Sequence, residues 1–153
     1  MSHQIRIATE SDLDQIMQIE KACFGNDAWS KSNMKSELLA PHTTYVVAEE
    51  DNSLIGYAGL SKLANSESCD IQTIAVSDSH RGQGIGRALM ERLLSYAREQ
   101  GAKEVFLEVR EDKPTPQSLY SSLGFVTIDR RENYYQPDGV AAIVMRLDLE
   151  SQK

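Results

Sequence analysis

The chain has 153 residues, 41% hydrophobic and 25% charged, the mix of an ordinary soluble globular protein. Its 23 acidic residues against 16 Lys and Arg leave a formal charge of −7. That excludes a general nucleic-acid binder, which needs basic surface to neutralise phosphates.

In chain order, Gln4–Ile7 reads as a short strand, and Thr9-Glu10-Ser11-Asp12 as a capping box with Asp in place of Glu. Leu13, Ile16, Met17 and Ala22 follow at near-helical spacing, which predicts a first helix to about Cys23. Gly25-Asn26-Asp27 breaks it. A second helix opens at Trp29-Ser30 with Ser30 as N-cap, buries Met34, Leu38 and Leu39, and ends at Pro41. Thr44–Ala48, a turn at Asp51-Asn52-Ser53 and Leu54–Leu60 predict a hairpin, and Ser68–Val76 a further strand. Short connections imply antiparallel pairing among these strands.

The pattern then changes. Gly84 to Gln100 is a strongly amphipathic helix with Ile85, Leu89, Leu93 and Ala97 on one stripe and Gly101 just beyond its end. Val105–Val109 is an apolar strand interrupted by one carboxylate. A short helix is predicted over Gln117 to Leu123, stopping at Gly124, with Pro114 and Pro116 delaying its start. Phe125–Ile128 and Ala141–Leu147 read as final strands. Strand, crossover helix and strand imply one parallel pair beside Ser68–Val76. The expected fold is a mixed α/β sheet of about seven strands, mostly antiparallel with a central parallel pair, flanked by about four helices. Nothing divides the chain, so residues 1–149 read as one domain and 150–153 as a frayed tail.

No apolar run approaches the ~20 residues of a membrane span. The segment Met1 to Arg6 lacks the basic start and apolar core of a signal peptide. Cys23 and Cys69 sit in apolar or strand-like surroundings and read as reduced thiols of a cytoplasmic protein. Two Cys and three scattered His give no metal-ligand spacing, so no metal is expected.

The informative segment runs from Ile74 to Arg87: a strand end, a glycine-rich loop and the start of a long helix. Such a junction aims successive backbone N–H groups and a positive helix end at one point, which suits a phosphate. A Walker loop would need Lys-Ser or Lys-Thr after the last Gly, where Arg87-Ala88 stands. A dinucleotide loop would need Gly at position 87. Both alternatives fail by spacing.

Arg81-Gly82-Gln83-Gly84-Ile85-Gly86 resembles the Arg/Gln-x-x-Gly-x-Gly/Ala loop of the GCN5-related N-acetyltransferase (GNAT) superfamily. The resemblance implies that Arg81, Gly82, Gln83, Gly84, Ile85, Gly86 and Arg87 grip the pyrophosphate of acetyl-CoA. It also implies that Ile74, Ala75 and Val76 align the pantetheine arm through main-chain hydrogen bonds. Glu20-Lys21-Ala22-Cys23-Phe24, Trp29-Ser30 and Glu37-Leu38 resemble the first half of the ribosomal-protein-alanine N-acetyltransferases. Leu107-Glu108-Val109-Arg110, Leu119 to Phe125 and Arg131-Glu132-Asn133-Tyr134-Tyr135 with Asp138-Gly139 resemble their second half. The resemblance covers nearly the whole chain. It departs from the family at Ala28, where Pro is usual, and at Lys113, where an Asn usually contacts the cofactor; Lys113 is expected to meet a phosphate instead.

Acetyl transfer from a thioester to an amine needs the amine deprotonated, the oxyanion held and the thiolate satisfied. Glu108 is the candidate base, because period-2 alternation sets it on the face opposite Leu107 and Val109. The alternative is a strand Glu paired with a Lys or Arg. Tyr120 is the candidate acid, placed near the start of the short helix where the family sets a tyrosine beside the CoA sulfur. The alternative is an aromatic packed over the helix end. Neither cysteine lies at a helix N-terminus or beside a His, so the reaction is read as direct attack. His80 borders the loop and reads as a solvated residue.

The resemblance implies that the acceptor is the N-terminal alanine of a small-subunit ribosomal protein, a basic partner suited to a charge of −7 with Glu49-Glu50-Asp51 and Glu67 near the sheet edge. A monomer or weak dimer is expected, with no direct contact to nucleic acid or membrane. A lysine, a small amine or a silent acyl-CoA-binding domain stand as alternatives.

Overall fold

The computed structural model describes residues 3–136 and 138–150. Its strands are β1 (Gln4–Ile7), β2 (Thr43–Glu50), β3 (Ser53–Ser61), β4 (Ser68–Val76), β5 (Glu104–Arg110), β6 (Val126–Tyr135) and β7 (Val140–Asp148). Its helices are α1 (Leu13–Phe24), α2 (Lys31–Leu39), α3 (Ile85–Glu99) and α4 (Pro114–Ser122). The strands form one sheet in the order β1-β2-β3-β4-β5-β7-β6, and β4/β5 is its parallel pair. The expected mixed sheet is therefore the observed one.

Local chemistry accounts for the elements. The Asp12 carboxylate accepts the Thr9 N–H at 2.8 Å and so opens the turn into α1. Ser30 Oγ accepts the Asn33 N–H at 3.1 Å, which caps α2 as expected. Asp51 and Asn52 both adopt positive φ, the twist that a two-residue hairpin turn requires.

A helical layer covers each face of the sheet. α3 packs its buried stripe of Ile85, Leu89, Leu93 and Ala97 on one face, together with Tyr120 and Phe125. α1 and α2 cover the other with Leu13, Ile16, Met17, Ile19 and Met34 against Tyr45, Val47, Tyr57 and Ala75.

A bulge controls how β4 meets its neighbours. The β3/β4 register steps from Gly59↔Thr73 to Leu60↔Ile71 and leaves Gln72 unmatched. The extra residue inverts the alternation: Cys69 and Ile71 face the α3 core before it, Ile74 and Val76 after it. β4 pairs β5 only from Ser68↔Glu104 to Asp70↔Phe106. Beyond that rung no pairing joins them among the described residues, and the sheet parts.

Several expectations need correction. Leu39 is 58% exposed and Ala22 also faces solvent, because each helix buries a narrower stripe than its apolar residues imply. α4 starts at Pro114 rather than Gln117. Proline costs nothing in a first turn, whose N–H groups have no intrahelical acceptor. Tyr120 accordingly sits in the last turn of α4. β6 runs on to Tyr135, so the Asn133-Tyr134-Tyr135 segment ends a strand, with Asn133 at φ +54° forming an irregularity. Glu49, Glu50 and Glu67 are paired with Arg6, His80 and Lys103 and are not an open acidic edge. Glu150, expected in the frayed tail, donates its N–H to the Asp148 carboxylate at 3.0 Å; residues 151–153 lie outside the described residues.

Candidate active site

The loop between β4 and α3 is shaped by two glycines. Gly82 and Gly84 have φ of +78° and +80°, a region that side chains resist. A Cβ added at either would meet nothing within 4 Å, so open space lies above this backbone. The first helical bond of the turn runs from the Ala88 N–H to the Gly84 carbonyl at 3.0 Å. The preceding N–H groups have no acceptor in the helix. A bare cradle of this kind fits a pyrophosphate.

The side chains around it have other duties. Ile85 is 2% exposed and faces the core, so only its main chain is open to a ligand. A Cβ at Gly86 would lie 3.4 Å from Leu119, so this glycine lets α3 approach α4. Arg81 donates to the Val76 carbonyl at 3.2 Å, pairs with Asp78 at 2.9 Å and lies 3.4 Å from Cys23 Sγ. Arg87 donates to Ser122 Oγ. Gln83 and Lys113 are exposed. Ile74 and Val76 are half-buried beside the α3 core, and Ala75 is buried on the opposite face. His80 is not a solvated residue: Nε2 lies 3.2 Å from Glu50 and Nδ1 2.9 Å from Ser77 Oγ, which fastens the loop to the end of β2.

Glu108 lies where alternation puts it, exposed between buried Leu107 and Val109. Its two oxygens are engaged. Arg131 donates to one at 2.9 Å and the Tyr134 hydroxyl to the other at 2.8 Å. Asp70, on β4, looks out from the same face with no hydrogen bond to its carboxylate from the described residues. Partial burial and then the Glu108 charge push its pKa upward.

Tyr120 is 5% exposed, edge-on to Phe125 with ring centres 6.1 Å apart. Burial, and next Tyr135, push its hydroxyl well above the usual tyrosine range. Burial, and next Glu108, push Tyr135 to about 12. Tyr135 is thus within electrostatic reach of both predicted groups, which come from different elements.

Arg110, two residues beyond Glu108, ties the walls together. It binds Asp112 at 3.1 Å and Asp138 at 2.6 Å, lies 3.5 Å from Asp27 in the turn after α1, and rests 5.1 Å from the Tyr135 ring centre. Buried Glu20 fixes the α1–α2 turn by accepting the Trp29 N–H at 2.9 Å and the Tyr57 hydroxyl. Asp70 was missed by sequence reasoning, although a carboxylate inside a strand is the same signal that marks Glu108.

A parallel pair that parts beyond Asp70↔Phe106 leads into a glycine cradle at the start of the crossover helix, on a seven-stranded mixed sheet. Residues 13–125 match the model of the Acetyltransferase (GNAT) family, and the chain belongs to that family. It is 37% identical over 143 residues to the N-alpha-acetyltransferase RimI of Mycobacterium tuberculosis, covering 92% of this chain and 89% of that protein. It is 30% identical over 148 residues to the ribosomal protein bS18-alanine N-acetyltransferase of Haemophilus ducreyi, covering 95% and 99%. The crystal structure of the ribosomal-protein-S18-alanine N-acetyltransferase from Escherichia coli matches with a TM-score of 0.86 at 28% identity, covering 96% of this chain and 94% of that one.

Proposed function

We propose that the chain, as a single domain over residues 1–149, is a cytoplasmic N-acetyltransferase. It moves acetyl from acetyl-CoA to the N-terminal α-amine of an alanine-starting ribosomal protein of the bS18 type. The observation that carries the reading is the gap beyond Asp70↔Phe106 with the open Gly82–Gly84 cradle at one end; Glu108 and Tyr120, both within electrostatic reach of Tyr135, are the groups assigned to it. The names of the full-length relatives support the acceptor. No helix among the described residues is long and apolar enough to cross a membrane.

Acetyl-CoA supplies the activated acetyl thioester. The main chain of the Gly82–Arg87 segment binds its pyrophosphate, with Arg81, Gln83, Arg87 and Lys113 at the rim. Main-chain groups of Ile74 to Val76, on the side that β5 leaves unpaired, hold the pantetheine arm, with the Val76 carbonyl already accepting from Arg81. Glu108 sits on the acceptor side and Tyr120 donates its proton to the departing sulfur. The buried Tyr120 hydroxyl keeps its proton at neutral pH, as a donor must.

A lysine amine of pKa ~10.4 costs roughly 3–4 kcal/mol more to free at neutral pH than an α-amine of ~7.7–8.0. The site therefore has the easier task at a chain terminus. The test is competition between two peptides of one sequence, one with a free N-terminal Ala and one N-blocked with an internal Lys, read by mass spectrometry. Acetylation of the free Ala supports the assignment. Preference for the blocked Lys peptide overturns it, as does acetylation of neither with rapid acetylation of spermidine. Tyr120→Phe is expected to slow transfer about 10²-fold.

A further inference from the structure

We infer that Asp70 is a second carboxylate of the acceptor site, and that it receives the acceptor ammonium and takes up its proton. The inference rests on the N-acetyltransferase reading above and names a group that the Glu108–Tyr120 pairing leaves out.

Position comes first. Asp70 stands opposite Phe106 on the last paired rung of β4/β5, and paired residues of parallel strands point to one face. Glu108 is two residues further along that face. Two steps of strand rise and one strand spacing put the two Cα atoms about 8 Å apart, which leaves room for one ammonium between the side chains. The strands part immediately beyond Asp70, so its carboxylate stands at the mouth of the gap. The Gln72 bulge preserves this aim: before it Cys69 and Ile71 face the α3 core, which turns Asp70 outward to the acceptor face.

Free valence comes second. Glu108 already accepts hydrogen bonds from Arg131 and Tyr134, one on each oxygen. Asp70 accepts none from the described residues. A carboxylate offers about four lone-pair sites, and Glu108 has some of them filled and Asp70 none, so Asp70 is the more open acceptor for an incoming ammonium. The other charged groups on this side are accounted for. Glu104 of β5 is bound by Arg146 of β7, and Tyr45 of β2 donates to Gln72. Arg131 and Tyr134 of β6 are taken by Glu108, and Glu20 of α1 by Tyr57 and Trp29. Glu37 of α2 has a buried oxygen without a partner among the described residues and acts on Tyr45. The upward pull of partial burial, and then of Glu108, on Asp70 makes it a readier proton acceptor than a solvated aspartate.

The step balances. Asp70 accepts a proton from the ammonium, and the freed nitrogen forms a bond to the thioester carbonyl carbon. The C–S bond breaks, the sulfur takes the Tyr120 proton, and the amide nitrogen's second proton restores Tyr120 through solvent. No other reactant is needed.

The test compares wild type with Asp70→Asn on a peptide with a free N-terminal Ala, from pH 6.5 to 9.5, by thiol release. kcat/KM at pH 7 is expected to fall 10- to 100-fold. The deficit is expected to shrink as pH passes the amine's own ~7.7–8.0. Acetyl-CoA affinity by calorimetry should be unchanged. The thermal midpoint should be unchanged or higher, since an unpaired carboxylate beside another is removed. A wild-type rate at pH 7, a deficit constant with pH, or a lowered midpoint would each overturn the inference. Carbon-13 titration of the Asp70 carboxyl needs no acceptor. Its midpoint should lie above the ordinary aspartate range in wild type and drop in Glu108→Gln; an ordinary midpoint in wild type overturns the inference. If wild type leaves the Ala peptide untouched, the acceptor assignment fails by itself. The pH comparison repeated with spermidine then decides Asp70.

Discussion

The two halves of the sheet are covered differently. β2 and β3 are buried through runs of consecutive residues, because α3 lies on one face and α1 with α2 on the other. β5 alternates, because the α1–α2 cluster reaches no further than β4, and the edge strand β6 is exposed along nearly its whole length, whereas β7 between them is buried from Ala141 to Met145. Val46 and Val47 are adjacent and both fully buried, whereas Leu107 is buried and its neighbour Glu108 is open. The candidate chemistry sits where the second cover ends. Charged groups there can meet a substrate, yet stand against a sheet whose other face is a packed core. A substitution in the first half should therefore act on stability and one at the boundary on activity.

The largest stability effect is expected at Gly59. A Cβ there would meet the Tyr45 ring at 2.4 Å, and that ring is held by its hydroxyl on Gln72. Gly59→Ala should cost about 3 kcal/mol in denaturant unfolding. A loss under ~1 kcal/mol would show that the doubly covered half is less tightly packed than β2 and β3 imply.

Gly84→Asp makes the opposite demand. The space above Gly84 is open, so the side chain fits, at the expense of a left-handed φ that Asp tolerates better than most residues. Its negative charge would face the pyrophosphate. Acetyl-CoA affinity by calorimetric titration should drop at least 100-fold, about 2.7 kcal/mol, with the fold retained. Unchanged affinity would remove the cradle from the site.

Arg6→Ala probes the seam between β1 and α1. Asp12 is 5% exposed and receives two hydrogen bonds from Arg6, each of 2.9 Å. Loss of the guanidinium should destabilise the fold by about 2 kcal/mol at neutral pH. Arg6, before any other cause, holds the Asp12 carboxyl below the usual range. A depressed folded pKa gives stability that is present above the unfolded value of ~3.9 and lost as pH falls below it. Wild type and Arg6→Ala should therefore converge on acidification. Parallel stability curves down to pH 3 would contradict this.

The smallest effect is expected on β6. Ile128 is 50% exposed on the edge strand at a bulge. Ile128→Thr should change stability by less than ~0.5 kcal/mol. A larger loss would mean that something covers the open half.

Much of this was legible in the sequence, for a local reason. Caps, turns and alternation act over a few residues. Ser30, the Asp51-Asn52 turn, the Ser68–Val76 strand, the Gly82–Gly84 loop and the outward face of Glu108 could therefore be read from neighbours alone. The α4 start was misread because proline was taken as a breaker, when in a first turn it has no bond to break. His80 and the acidic residues Glu49 and Glu50 were misread as free because their partners come from β1, β2 and the β4–α3 loop. Only the tertiary structure decided which side of the sheet is covered twice, and where β4 leaves β5. It also set the reversal of side-chain parity at Gln72 and the ties from Arg110 to three separate loops. A one-residue shift of register exchanges every side chain between faces, and no local pattern records it. The sequence by itself determined the pieces of the site; the register of one bulged strand decided that Asp70 and Glu108 share a face.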